Sequence, residues 1–434
     1  MQRIPLPPLE RRLQKRYLSL VHSHMRSAPE LAAGVASLPS TRSAFAATQA
    51  AWRFHANQRV TLPALVEPLR ALACQRLASS PAPFALLVHD WSKLTFRHPK
   101  GKRDLVRLTH PTDVGYEATV ALVVDAQDGS PLAPLELHLK TAAGVLSTRR
   151  RPPRNLAHLE QVLPTMKASR QWGLPKLLVH VIDREADSVD HYRRWDAASF
   201  RFLIRGDDRS VKWREKPQLL STISGELARQ GKFHHVRDVS YHDRQAQLWV
   251  AETAVTLHRP AKKNVQDRRY EQPGRPLPLR YIVVQLRDPV GVVLAQWMLL
   301  SNVPQAWASA AMLAFCYYWR WRIESFFKLL KSHGQQLEYW QQETGLAVAR
   351  RLLVAAMACV TVWHLQADDS AEALELKSIL VRLSGRQTKR SRPHTAPALL
   401  AGLWVLLSML ALLEHYDLDR LRTLAAQLPY YDTG

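Results

Sequence analysis

Cysteine is scarce in this chain of 434 residues, which has only Cys74, Cys316 and Cys359, far apart from one another. An odd number of distant cysteines excludes a disulfide framework and a paired-cysteine metal knuckle, so a reducing, cytoplasmic setting is expected. The sequence shows no zinc-ligand spacing, glycine-rich phosphate loop or serine–histidine–aspartate pattern. Its first residues, MQRIPLPPLERRLQKRY, lack the apolar core of a secretory signal.

Acidic residues are also few compared with basic ones. The chain has 37 Asp and Glu against 60 Lys and Arg, a net charge of +23. Basic clusters recur at 149–154, 259–269 and 386–392 rather than in one block beside an apolar segment. This distribution favours a polyanionic partner, DNA or RNA, over an acidic membrane surface.

Long apolar runs are limited to one stretch, Ala396 to Leu413. It is long enough to cross a membrane. However, Pro397, Gly402 and Ser408 dilute it, and Glu414 follows at once. We therefore expect a buried or dimer-forming helix here, and no membrane partner.

Hydrophobic periodicity divides the chain into five predicted regions. They are a helical module at 1–80, the first part of an α/β core at 84–205, a β-rich insertion at 206–302, the second part of the core at 303–345, and a helical tail at 346–434. Closely spaced prolines after Ser79 mark the first boundary. No repeat is visible at a period of 20 to 50 residues.

Two buried strands of the predicted core each deliver an aspartate. FALLVHD ends at Asp90, and KLLVHVI is followed by Asp183. A third acid, Glu324, lies on a helix expected to begin near Ala308. The order of three strands, helix, strand, helix, strand and late helix, with acids at these points, is a ribonuclease-H-like layout. Together the three acids would form an all-oxygen site for two Mg²⁺ or Mn²⁺ ions. Taken singly, either aspartate could be a helix cap or turn residue.

The stretch YYWRWRIESFFKLLK, from Tyr317 to Lys331, carries Glu324. On one continuous helix, Tyr317, Arg320, Glu324 and Lys331 would fall within about 60° of arc. Lys328 joins the same stripe. The alternative is an ordinary solvated face on which Glu324 and Lys328 pair at i, i+4.

These motifs resemble those of bacterial insertion-sequence transposases of the DDE class, in the branch marked by Y-x2-R-x3-E-x6-K. The signature is matched in full within the Tyr317 to Lys331 stretch, and the second-carboxylate motif DREAD stands at Asp183 to Asp187. The segment Asp90 to Leu94, DWSKL, resembles the family's first-carboxylate segment. Thr48 to Val60 resembles part of its N-terminal DNA-binding module, so the matches run from Thr48 to Lys331.

The resemblance implies a role for each matched residue. The acids Asp90, Asp183 and Glu324 would bind two metal ions. The phosphates of a DNA end would be held by a group of side chains around the third acid: Tyr317, Arg320, Arg322, Lys328 and Lys331. Trp297 would stack against a flipped base, or else be a core or cross-strand aromatic.

Three neighbouring residues are expected to be structural. Glu185 and Asp187 are read as acids of a first helical turn or as ion-pair partners rather than as ligands. His89 is read as a core histidine, because adjacent side chains of a strand point to opposite faces.

The resemblance implies a DNA transposase. Such an enzyme binds the inverted ends of its element as a homodimer on double-stranded DNA, cleaves them, and transfers the 3′-hydroxyl ends to target DNA. A bacterial cytoplasmic location at the nucleoid goes with it. Two alternatives remain at this point: an inactive or domesticated DNA-binding derivative, and a related metal-dependent nuclease without strand transfer.

Overall fold

The computed structural model describes residues 4–26, 41–110, 112–152, 157–241, 244–265, 268–331, 333–387 and 393–427. It is a mixed α/β protein built around a large sheet. The helices are α1 (Arg11–Arg26), α2 (Thr41–Ala56), α3 (Leu62–Ser79), α4 (His158–Ser169), α5 (Val189–Ala197), α6 (Leu220–Arg229), α7 (Ala310–Tyr318), α8 (Trp321–Leu330), α9 (Gly345–Ala367), α10 (Ala371–Leu383), α11 (Ala396–Leu413) and α12 (Leu418–Ala425).

The strands are β1 (Phe84–Leu94), β2 (Val106–Arg107), β3 (Val114–Asp125), β4 (Pro131–Thr141), β5 (Gly144–Ser147), β6 (Leu177–Ile182), β7 (Arg201–Arg205), β8 (Ser210–Trp213), β9 (Lys216–Leu219), β10 (His234–Tyr241), β11 (Arg244–Leu257), β12 (Ala261–Val265), β13 (Arg268–Gln272), β14 (Leu277–Arg287) and β15 (Val293–Ser301).

Five strands form the part of the sheet that carries the aspartates, in the order β4-β3-β1-β6-β7. The strands β4, β3 and β1 are antiparallel neighbours, whereas β1, β6 and β7 run parallel. The first six residues of β1 are all buried, as expected for a strand covered on both faces. The strand continues to Leu94 rather than stopping at Asp90 as the apolar run suggested, because β3 stays paired with it beyond the end of β6.

The segment predicted as a β-rich insertion extends this same sheet. Strand β15 pairs with β7, and β14 and β11 follow outward, so the described residues form one 13-stranded sheet with a separate β12–β13 pair. Helix α6 was not predicted. Its buried residues recur at helical spacing, but Ser221, Thr222 and Gly225 are weak helix formers and obscured the pattern.

Helices cover both faces of the sheet. One face packs on α4, α5 and α6. The other packs on α7, α8 and α9, and α1, α2, α3 and α11 contact α9 from outside. By length and composition, α9 and α11 could each cross a membrane; the apolar window of α9 is 89% buried inside the protein and that of α11 is 33% buried.

The Tyr317 to Lys331 stretch is not one helix, contrary to the prediction. Helix α7 ends at Tyr318 and α8 begins at Trp321. Between them the amides of Arg320 and Arg322 bond to carbonyls three residues back, the tighter pattern of a 3₁₀ turn. Lys331 has already left the helical conformation, with φ −88° and ψ −123°.

Four described helices, α9 to α12, fall in the region predicted as a helical tail. Helices α11 and α12 are separate, and the Asp417 side chain caps the second by accepting a hydrogen bond from the amide of Arg420. Most of the basic cluster at 386–392, namely residues 388–392, lies outside the described residues.

Candidate active site

Asp90 and Asp183 occupy equivalent positions on neighbouring parallel strands. The pairing of β1 with β6 ends where Val88 lies opposite Val181, and each aspartate follows two residues later. Their side chains are 18% and 36% exposed. The carboxyl ends of parallel strands meet at one edge, so the topology brings together two acids that are distant in sequence.

Glu324 completes the group from α8, which packs on β1. All three carboxylates contact the guanidinium of Arg320. Its Nη1 lies 3.3 Å from an Asp90 oxygen, and its Nη2 lies 3.5 Å from Asp183 and 2.6 Å from Glu324. We call this group, Asp90, Asp183 and Glu324, the acidic triad. The structure brings the three predicted acids together around one cation.

The triad has the donor chemistry of a site for a hard divalent cation, because it offers only carboxylate oxygens. In the part of the chain that the structure describes, however, no group of three or more His, Cys, Asp or Glu side chains is arranged to hold a metal ion as it stands. The contacts explain why. The carboxylates face a guanidinium that already supplies the positive charge between them.

Burial raises the pKa of Asp90 to about 6. The nearby carboxylates of Glu324 and Asp183 raise it further, while a hydrogen bond from the Trp91 amide and the charge of Arg320 oppose them. The Trp91 amide lies 2.8 Å from Oδ1. Burial also works against the charged form of Arg320, but its pKa is raised because Tyr317 and the three acids surround it. The charge state of Asp90 therefore depends on those of Arg320, Glu324 and Asp183.

Tyr317 and Trp297 lie beside the triad in the core. Tyr317 is 2% exposed and Trp297 is 5% exposed, and their rings meet edge to face at 5.5 Å. Burial raises the pKa of Tyr317 to about 12, with a further contribution from Asp183. In this arrangement a base or a phosphate reaches either ring only after the surrounding residues move.

The three remaining cations of the predicted set have different surroundings. Lys328 is exposed on α8. Lys331 donates hydrogen bonds to the Ser92 hydroxyl at 2.8 Å and to the Lys93 carbonyl at 2.6 Å, which ties the end of α8 to β1. Arg322 donates to the Gly129 carbonyl at 2.8 Å, in the turn between β3 and β4.

The two other acids of the DREAD segment have structural partners. Asp187 has a side chain only 1% exposed, lies 2.8 Å from the Arg209 guanidinium and accepts a hydrogen bond from the Tyr192 hydroxyl. Glu185 is 62% exposed and lies 3.4 Å from His158. Asp187 thus has the ion-pair partner that one of the two structural readings predicted, and Glu185 lies beside a histidine.

His89 is buried, as expected, and contacts His180 on the neighbouring strand at 3.0 Å. Burial lowers the pKa of His89 to about 4, so it is an uncharged part of the core at neutral pH.

Sequence reasoning missed Arg205, whose positive charge lies near the Tyr317 hydroxyl and lowers its pKa, against the effect of burial. It is the last residue of β7, which runs parallel to β6. A signal was present, because β1, β6 and β7 each present a charged residue near the same edge. The similarity was missed because Arg205 is basic, whereas Asp90 and Asp183 are acidic.

The fold and the triad define an α/β protein with a convergent acidic site at the carboxyl ends of parallel strands. Residues 86–360 match the family model described as "Transposase DDE domain". The match covers more than half of the chain and contains every member of the triad, so the chain belongs to the DDE transposase family.

Comparison with curated proteins gave no match. Among solved structures, the cryo-EM structure of a piggyBac transposase synaptic complex with hairpin DNA is similar at 12% sequence identity, over 97% of this chain and 76% of that chain, with a TM-score of 0.33. At that score the likeness carries no structural argument.

Proposed function

We propose that this protein is a DNA transposase of the insertion-sequence branch with the Y-x2-R-x3-E-x6-K signature. It would bind the inverted ends of its element, cleave phosphodiester bonds, and join the 3′-hydroxyl ends to target DNA. The observation that carries the proposal is the convergence of Asp90, Asp183 and Glu324 on one guanidinium, within a chain of this family.

The five-strand part of the sheet supports a ribonuclease-H-like core at 84–205 and 303–345, with 206–302 as its insertion. We further propose that 1–80 is a DNA-binding module, that 346–434 contributes to a homodimer formed on DNA, and that the protein works in the cytoplasm at the bacterial nucleoid. The net charge of +23 supports double-stranded DNA as the partner.

In this mechanism Asp90, Asp183 and Glu324 would hold two Mg²⁺ ions, for which Mn²⁺ could substitute. The chemistry that such ions supply when bound is activation of a water or 3′-hydroxyl and stabilisation of the leaving oxygen. Lys328, on the exposed face of the helix that carries Glu324, would bind a phosphate of the DNA end. Arg320, Arg322, Lys331 and Tyr317 are proposed as further phosphate contacts, and Trp297 as a stacking partner once it is exposed.

Single substitutions Asp90→Asn, Asp183→Asn and Glu324→Gln test the proposal. Each keeps the size of the side chain and removes one anionic ligand, so we expect Mg²⁺-dependent cleavage to fall by at least about 10³-fold while DNA binding is retained. The measurements are cleavage of, and binding to, a duplex that carries the sequence flanking the open reading frame. Asp190→Asn, half-buried on α5 and paired with Arg194 outside the triad, is the matched control and should cleave normally.

Normal cleavage by any of the three triad variants would refute the proposal. Binding without nicking by the wild-type chain would favour an inactive DNA-binding derivative. Nicking without joined products would favour a nuclease that lacks strand transfer.

A further inference from the structure

Arg320 is the central cation of the acidic site. Its side chain is 7% exposed, so its charge is held away from bulk water by the protein. One of its nitrogen atoms, Nη2, contacts both Asp183 and Glu324, and the other, Nη1, contacts Asp90. The guanidinium therefore lies between the three carboxylates rather than beside them.

The other nearby cations have different positions. Lys331 is held by the end of β1, and Lys328 is exposed. Three acids at close range repel one another strongly when they are shielded from water. In the described arrangement, Arg320 is thus the group whose contacts offset that repulsion.

A divalent ion needs the same oxygen atoms. It binds carboxylate oxygens at about 2.0–2.6 Å, closer than most guanidinium contacts, and its double charge repels a neighbouring guanidinium. A metal ion that contacts all three acids and a guanidinium that contacts all three acids are therefore mutually exclusive. Arg320 lies in the short 3₁₀ turn between α7 and α8.

We propose that Arg320 is the resident counter-ion of the triad and that a divalent ion must displace its guanidinium in order to bind. This inference rests on the proposed function, because it takes the triad as the metal site. It assigns Arg320 a positioning role before DNA is present: it keeps three acids assembled that would otherwise separate. Once displaced, the guanidinium becomes available to a DNA phosphate.

The test is a titration of Mn²⁺ into the full-length, DNA-free chain. Electron paramagnetic resonance of the free ion measures how much Mn²⁺ is bound. Arg320→Gln removes the competing charge, and the hydrogen bonds that it removes are charge-assisted, so we expect the Kd for Mn²⁺ to decrease about tenfold. Arg320→Lys keeps a charge but loses the fork that reaches three acids, and should decrease the Kd by about threefold. This second variant carries the test if thermal unfolding shows that Arg320→Gln does not fold.

Arg194→Gln is the matched control. Arg194 also bridges two acids, Glu160 at 3.2 Å and Asp190 at 3.3 Å, but lies outside the triad. Its Mn²⁺ affinity should equal that of the wild type. Glu324→Gln should weaken Mn²⁺ binding both alone and combined with Arg320→Gln, which assigns the ion to the triad.

Equal or weaker Mn²⁺ binding by a folded Arg320 variant would overturn the counter-ion role and leave the proposed function standing. Absence of Mn²⁺ binding at the triad in both the wild type and the Arg320 variants would overturn the metal site, and the proposed function and this inference with it.

Discussion

At the scale of single residues, one buried acid outside the triad, Glu136, has two basic partners. Glu136 on β4 has a side chain only 2% exposed, and it contacts His138 at 2.7 Å and Arg149 at 2.9 Å. Burial alone would raise its pKa, but hydrogen bonds from His138 and Arg149 outweigh burial and lower it to about 2. Asp90, with its pKa raised to about 6, shows the opposite balance. The ion-paired Glu136 and the triad member Asp90 thus have pKa values shifted in opposite directions.

We predict that Glu136→Gln lowers the free energy of unfolding at pH 7 by about 3 kcal/mol, because it leaves the half-buried Arg149 without its anion. The pKa of Glu136 is depressed in the folded state, so its contribution is fully present above the ordinary value of 4.5 and is lost as the pH falls toward about 2. Urea unfolding at pH 7, 4 and 3 should show the difference between variant and wild type shrinking with pH.

The surface pair Glu343–Arg103, in which the glutamate is 49% exposed, supplies the control for this experiment. Glu343→Gln should change stability by less than about 1 kcal/mol. A Glu136→Gln effect that stays constant down to pH 3 would contradict the assignment of the stabilisation to the ionised carboxylate.

The pairing of Asp90 with Asp183 could be predicted from sequence because each follows a buried run, and parallel buried strands align their ends. The contacts of Arg320 could not. A sequence pattern gives the direction in which a side chain leaves a helix, but not which of several partners a long guanidinium reaches. The same limit applies to Trp297, since alternation along a strand does not say which of its two faces a later helix covers.

At the scale of elements, the segment between β6 and α5 is held at its far end by Asp187. Asp187 accepts hydrogen bonds from Tyr192 in α5 and from the amide of Asp207 at 2.8 Å, and its carboxylate pairs with Arg209, just before β8. These contacts join two successive strand-end loops. We therefore expect the position of Asp183 to depend in part on the ion pair of Asp187 with Arg209, four residues further along the chain.

We predict that Asp187→Ala destabilises the protein by about 3–5 kcal/mol, because Arg209 would lose its buried partner. Cleavage should fall as well, since Asp183 would no longer be held in register with Asp90. Urea unfolding and a cleavage assay measure the two effects.

Glu185→Gln is the control within the same motif. Its side chain is 62% exposed, so it should change stability by less than about 0.5 kcal/mol. Similar losses of stability in Asp187→Ala and Glu185→Gln would argue against the pair of Asp187 with Arg209 as the cause.

Most elements could be predicted from hydrophobic period alone, but their interruptions could not. The break between α7 and α8 coincides with Trp319, whose indole packs against the turn at Gly129. That glycine has φ +74°, and a Cβ there would lie 2.3 Å from the indole. A contact between positions so distant in sequence leaves no local signal, and local propensity therefore predicted one continuous helix.

At the scale of the whole molecule, the net charge is +23, and the basic residues recur along the sequence rather than in one terminal block. The exposed Arg150 and Arg151 follow β5 and are joined by Arg149 and Arg70 around a cavity of about 630 Å³. Counter-ion release from DNA would make binding to such a surface strongly dependent on salt.

We predict that the affinity for a non-specific duplex falls by about 10³-fold or more between 50 and 200 mM salt. The double substitution Arg150→Gln and Arg151→Gln should reduce the slope of log K against log salt by up to about 2, without a change in sequence preference. Fluorescence anisotropy at several salt concentrations measures both. An affinity independent of salt would exclude phosphate contacts as its main source.

The position of helix α9 affects which segments could be exchanged between this chain and a homologue. Arg350 of this helix donates hydrogen bonds to the carbonyls of Val60 and His55, both at 2.6 Å. Helix α9 also packs on β4. The first three helices thus pack against α9, which is far from them in the sequence. In a chimaera that takes only the first 80 residues from a homologue, these helices would pack against an α9 of different sequence. A chimaera that also takes α9 from the homologue would keep the original packing surface.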